Sequence, residues 1–206
     1  MLCENVNRSI DNLIQYKSSA GNSGADQAFI YLNIETSSMN TIEDITFWFT
    51  GLPSSGKTSL ADKLKKSLEL TQKVRIVHID GIDLQSGLTQ DLGSSEKDLK
   101  EGTRRAAYLA QLLNNNHIGV VVSVVTPTEQ MREMVRSIVH NICMIYLKCS
   151  LEKCREKDTK GTYYRQSTGP QFETPSKFEI VVDTENQELE GSFNELLQCV
   201  RAWINE

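Results

Sequence analysis

The chain has 206 residues, 39% hydrophobic and 24% charged, which suits one globular domain with a sizeable core. Lys and Arg number 22 against 27 Asp and Glu, so the net charge of −5 argues against a broad nucleic-acid surface but not against a local phosphate pocket. The apolar runs are too short to cross a bilayer, and Met1-Leu2-Cys3-Glu4-Asn5 lacks the basic region and apolar core of a signal peptide, so a cytoplasmic protein is expected.

Residues 1–43 read as an N-terminal extension. Val6, Ile10, Leu13 and Ile14 allow a short amphipathic helix, 18–24 is a flexible linker by composition, and 28–34 suits a short strand. From residue 44 onward the pattern alternates. Strands are expected at 45–50, 74–79, 119–125, 142–148 and 178–183, and helices at 57–70, 96–115, 128–139, 151–157 and 188–204. Gly119–Val125 is almost wholly apolar, the mark of a strand covered on both faces in a parallel sheet. The expected fold is α/β: a single domain over 44–206 with a doubly wound parallel sheet of the P-loop nucleoside triphosphate hydrolase type, its site at the carboxyl ends of the strands. The stretch 157–177 has no clear periodicity and reads as a long functional loop.

Gly51-Leu52-Pro53-Ser54-Ser55-Gly56-Lys57-Thr58 fits the phosphate-binding pattern G-x-x-x-x-G-K-[ST]. The glycines let successive backbone N–H groups converge on one anion. A β-branched and aromatic stretch, Ile45–Thr50, precedes the loop. After it, Leu60, Leu64 and Leu68 share one helical face, so strand, loop and helix stand in the order the motif needs. Lys57 would reach the β- and γ-phosphates of ATP, Thr58 would hold Mg²⁺, and Ser59 continues the nucleotide-binding set Gly51–Ser59.

Val74–Asp80 is an apolar strand ending in a carboxylate. Beside the P-loop strand, Asp80 would lie near the metal and phosphate, or take a proton from an attacking hydroxyl; the alternative is a helix cap or turn residue before Gly81. Arg104 and Arg105, and Arg132 with Arg136 four residues on, are either phosphate ligands or solvated helix charges. Lys157–Tyr163, which contains Lys160, suits a cationic lid closing over ATP. Five cysteines, an odd number without C-x-x-C spacing, argue against a disulfide framework or zinc site, and His78, His117 and His140 read as structural or surface residues. No Asn precedes a Lys, so the guanine-reading N-K-x-D is absent and a small-molecule kinase is the better class.

These motifs, taken in order, resemble the adenylyl-sulfate (APS) kinase family. The resemblance rests on Phe47–Leu52 leading into the P-loop, Asp80-Gly81, Gly87-Leu88, Asp91-Leu92-Gly93, Arg104-Arg105, Thr126-Pro127 with Arg132, Asp158–Tyr163, Phe172–Pro175 and Ile180–Thr184, and it spans roughly 44–184. It implies ATP-dependent phosphorylation of the 3′-hydroxyl of adenosine 5′-phosphosulfate to give PAPS, with Mg²⁺ at Thr58 and Asp80. It also implies Asp80 and Lys57 as catalytic groups, Lys160 in a lid, Ser95 at a position often given as a phosphoserine, and a homodimer. Arg104, Arg105 and Arg132 would contact substrate. The chain departs from the family pattern where it carries Ile82, Gln85, Ser94, Leu99 and Gly102, positions that in the family grip APS. The donor-side motifs are kept. A kinase of another nucleotide or hydroxylated metabolite, and a non-catalytic nucleotide-binding protein, therefore stay open as alternatives.

Overall fold

The computed structural model describes residues 41–159, 161, 163 and 170–205. The expectations for 1–40, for Lys160 and for 164–169 lie outside these residues. Five strands form one sheet: β1 (Thr46–Thr50), β2 (Ile76–Asp80), β3 (Gly119–Ser123), β4 (Ile142–Lys148) and β5 (Ile180–Asp183). Their spatial order is β2-β3-β1-β4-β5 and every pairing is parallel. Among the described residues the helices are α1 (Lys57–Gln72), α2 (Gly81–Gln85), α3 (Glu96–Asn114), α4 (Glu129–Ile138), α5 (Leu151–Glu156) and α6 (Leu189–Ile204), after a short 3₁₀ turn at Ile42–Asp44.

The two faces of β1 show how the sheet is clad. Ile45, Phe47 and Phe49 are buried against Leu60, Leu64 and Leu68 of α1 and Leu196 and Val200 of α6. Trp48 points the other way, into a second core with Ala106, Ala107 and Ala110 of α3 and Val135 of α4. Alternation along the strand thus sends helices to both sides, as near-continuous apolar strands require. The polar side chains of β1 on this face are satisfied internally. Thr46 donates to Asn114. Trp48 Nε1 donates to Thr126 Oγ1 at 2.9 Å and Thr50 Oγ1 to the Thr126 carbonyl at 3.3 Å. These bonds tie the connection after β3 to the strand that carries the P-loop.

Helix starts follow capping chemistry. Ser95, Thr128 and Ser150 each accept from a backbone N–H three residues on, which starts α3, α4 and α5. Helix α1 is different: it begins from Gly56 in the left-handed region without a side-chain cap, so its first N–H groups face the loop mouth. Cys143, Cys149, Cys154 and Cys199 are free thiols. Burial pushes the Cys154 thiol up to about 12, as expected of an inert thiol.

Candidate active site

Three strand ends build the site. The P-loop leaves β1, Asp80 closes β2, and Ser123 closes β3 in register with Asp80. Gly51 has φ 154°, and a Cβ there would meet Ser55 Oγ at 2.8 Å and the Leu147 carbonyl at 2.9 Å, so no larger residue fits without displacement. Gly56 has φ 97°, and a Cβ there would meet nothing within 4 Å: the mouth of the loop is open on the side where an anion would sit. The Ser55 hydroxyl is buried with no partner among the described residues.

Lys57 is only 7% exposed. Its Nζ donates to the carbonyls of Gly51 at 3.0 Å and Leu52 at 2.7 Å. Burial lowers the amine to about 8, because the charged form is poorly solvated there. An anionic ligand would restore its preference for the charged form.

Asp80 does two jobs. Its Oδ1 accepts from Ile82 N at 2.8 Å and so caps α2. Its Oδ2 accepts from Thr58 Oγ1 at 2.8 Å and from Ser123 Oγ at 2.5 Å. Burial alone would raise the carboxyl, but the donors Ser123, Ile82 N and Thr58, with His78 nearby, outweigh it and hold it below the ordinary carboxylate range. The group is ionised at neutral pH.

These residues line one side of a cleft of about 940 Å³. The rest of its lining mixes apolar residues, among them Ile82, Leu92, Leu99 and Val124, with the polar Gln85, Thr89, Ser94, Asp98 and Thr103. Lys157 and Thr159 enter from the segment after α5. That segment leans on the P-loop: Tyr163 Oη donates to the Pro53 carbonyl at 2.8 Å and Ser54 Oγ to Asp158 Oδ1 at 3.3 Å.

The structure therefore brings together Pro53, Ser54, Gly56, Lys57, Thr58, Ser59 and Asp80. The three arginines expected to meet substrate are engaged elsewhere, and none lines the cleft. Arg104 is paired with Glu101 on its own helix. Arg105 grips Asp91 through both terminal nitrogens, at 2.6 and 2.8 Å, and the Leu88 carbonyl, pinning the loop before α3. Arg132 is 1% exposed and donates to Glu129 and to the carbonyls of Thr126 and Glu173, which makes it a tie between the Thr126-Pro127 connection and the chain near Glu173. Ser95 is an exposed helix cap whose hydroxyl donates to Asp98 Oδ2.

Sequence reasoning gives Ser123 no role and reads His78 as structural or surface; Ser123 lines the cleft, and His78 lies behind it with Nε2 2.7 Å from the Ser123 hydroxyl. Ser123 sits at the carboxyl end of an apolar strand, where such folds place their chemistry. That position was its available signal.

The sequence signature of the adenylylsulphate kinase family matches residues 43–183. The adenylyl-sulfate kinase of Oceanobacillus iheyensis is 31% identical over 79% of this chain and 87% of its own length. A probable adenylyl-sulfate kinase of Pseudomonas aeruginosa is 34% identical over 73% of this chain and 74% of its own. The solved APS kinase CysC of Mycobacterium tuberculosis, in complex with AMPPNP and APS, superposes with a TM-score of 0.69 at 25% identity, covering 76% of this chain and 96% of that one. With its P-loop on a parallel five-stranded sheet and a matched region that takes in every strand, the chain belongs to the adenylylsulphate kinase family.

Proposed function

We propose that the chain transfers the γ-phosphoryl group of ATP to the 3′-hydroxyl of adenosine 5′-phosphosulfate, giving PAPS and ADP. Family membership supports the reaction. The observation that carries the site is the pairing of Thr58 Oγ1 with Asp80 Oδ2 at 2.8 Å, at the head of α1 and beside Lys57. The M. tuberculosis relative was solved with AMPPNP and APS together, and the cleft here, about 940 Å³, extends beyond the P-loop residues, which supports room for an acceptor.

The loop N–H groups and the first turn of α1 would hold the donor phosphates. Lys57 would exchange the Gly51 and Leu52 carbonyls for phosphate oxygens, gaining a full counter-charge in a dry site. Thr58 Oγ1 and Asp80 Oδ2 are hard oxygen donors side by side, which fits Mg²⁺, and a bound ion would neutralise phosphate charge. Asp80, ionised and fixed by three donors, would orient the acceptor hydroxyl and accept its proton late in the transfer. In-line transfer needs only positioning and charge stabilisation, so no covalent step at Ser95 is invoked. The apolar residues of the cleft lining, such as Ile82, Leu92 and Leu99, would limit the access of water that competes with the acceptor. No described helix is long and apolar enough to cross a membrane.

A coupled ADP-release assay with ATP, Mg²⁺ and APS, with PAPS identified by mass, tests the proposal. ADP and PAPS appearing in equal amounts is the expected result. No PAPS at saturating substrates, with turnover on another acceptor, would overturn it.

A further inference from the structure

Behind Asp80 runs a chain of hydrogen bonds that leads away from the cleft to α1. Ser123 Oγ lies 2.5 Å from Asp80 Oδ2. His78 Nε2 lies 2.7 Å from that same Ser123 oxygen, and His78 Nδ1 lies 2.7 Å from Asp62 Oδ1 on α1. His78 and Asp80 are two apart on β2, so their side chains leave the same face. The His78 side chain is only 11% exposed, whereas that of Asp62 is 50% exposed. Both ring nitrogens are engaged although the strand around them is mostly apolar.

The hydrogens dictate a direction. A serine hydroxyl has one proton to give. Ser123 gives it to Asp80 Oδ2, and Asp62, a carboxylate, can only accept, so the network closes with the ring donating from both nitrogens, Nδ1 to Asp62 and Nε2 to the Ser123 oxygen. His78 thus turns the Ser123 hydroxyl toward Asp80. The receiving oxygen, Oδ2, is the one that also faces Thr58. Without the ring the hydroxyl is free to rotate and the carboxylate loses a fixed donor on its reacting side.

We propose that His78, held by Asp62, is a positioning residue for phosphoryl transfer that acts through Ser123 on Asp80. The inference rests on the kinase reading of this cleft. Outer hydrogen-bond partners of this kind, studied best at metal sites, matter by about 10- to 100-fold. His78→Phe keeps a flat ring, somewhat larger, and removes both nitrogens. It should lower kcat about 10-fold or more while leaving KM for ATP within about twofold, because the P-loop is untouched. His78→Asn, which keeps a donor, should recover part of the rate. Asp62→Asn, at a half-exposed position that tolerates change, should lower kcat in the same direction by a smaller factor.

The decisive comparison is the double variant His78→Phe/Ser123→Ala. If His78 works through Ser123, it is no slower than Ser123→Ala alone. Rates that multiply, or an unchanged kcat in both His78→Phe and Asp62→Asn, overturn the proposal. Should His78→Phe fail to fold, Asp62→Asn/Ser123→Ala against Ser123→Ala makes the same comparison. Each variant is read twice, with APS and in slow ATP hydrolysis with water as acceptor. A wild-type protein that hydrolyses ATP but makes no PAPS overturns the APS reading, while the hydrolysis ratios still judge His78. A wild-type protein inert in both assays overturns both.

Discussion

Lys57 is held in an unfavourable place for an amine, and Lys57→Met measures how unfavourable. A fall from the ordinary 10.5 to about 8 on burial corresponds to about 3 kcal/mol of destabilisation while the group is charged. Methionine has similar reach and no charge to desolvate. It leaves the Gly51 and Leu52 carbonyls without their donor, which returns about 1 kcal/mol each. The net expectation is a protein about 1 kcal/mol more stable at pH 7, melting about 2–4 °C higher for a chain of this size, with ATP binding lost. The pH dependence carries a sign. Below pH 8 the lysine is charged in both folded and unfolded chains and the penalty is complete. Between pH 8 and 10.5 the folded chain sheds a proton that the unfolded chain keeps, so wild-type stability rises and the advantage of the variant shrinks. Urea denaturation of both proteins from pH 7 to 10, with calorimetric ATP titration, checks each part. A variant less stable than wild type at pH 7, or a difference that ignores pH, would refute the reasoning.

Asp80→Asn removes the ionised oxygen while keeping the shape, and should lower kcat by about 10²- to 10⁴-fold with a smaller change in KM for ATP, read by ADP release. Arg132→Met should lower stability by about 3 kcal/mol in urea denaturation, because it takes the cationic partner from Glu129, leaving only Ser176 to donate to it, and takes the donor from two carbonyls. KM for APS should stay near wild type, since Arg132 does not line the cleft. Gln85, one of the positions that depart from the family pattern, does line it, and Gln85→Arg, which adds a guanidinium there, should lower KM for APS by about 10-fold through one charge-assisted contact. An unchanged KM would show that the acceptor's charge is met from another direction.

The strands and the P-loop were legible because they rest on local signals: apolar runs, glycines at the turn, and leucines at helical spacing. β3 ends at Ser123 rather than at Val125 because the chain leaves the sheet there and gives Val124 and Val125 to the cleft. α2 was missed because Asp80-Gly81 reads as a turn, yet Asp80 itself caps the helix. Asp80 thus takes the helix-cap role that its sequence allowed, and its other oxygen stands 2.8 Å from Thr58 Oγ1, where the proposed metal role needs it.

The arginines were harder. Arg104 and Arg105 lie three and four residues after Glu101, and Arg132 lies three after Glu129. Those spacings put acid and base on one helical face and marked these side chains as locally engaged, a signal that outweighed their order among the family motifs. The bonds from His78 were not legible at all. β2 alternation puts His78 under Asp80, but Asp62 and Ser123 reach it only once α1 and β3 flank the strand.

The measurement that tests the central claim most directly follows ³²P from γ-labelled ATP into product with APS as acceptor, for wild type and Lys57→Ala side by side. Label appearing on the 3′-oxygen of PAPS in the wild type, and lost by several orders of magnitude in a folded Lys57→Ala protein, is the predicted result. Label that never reaches APS, or that reaches it equally well without Lys57, would contradict the account.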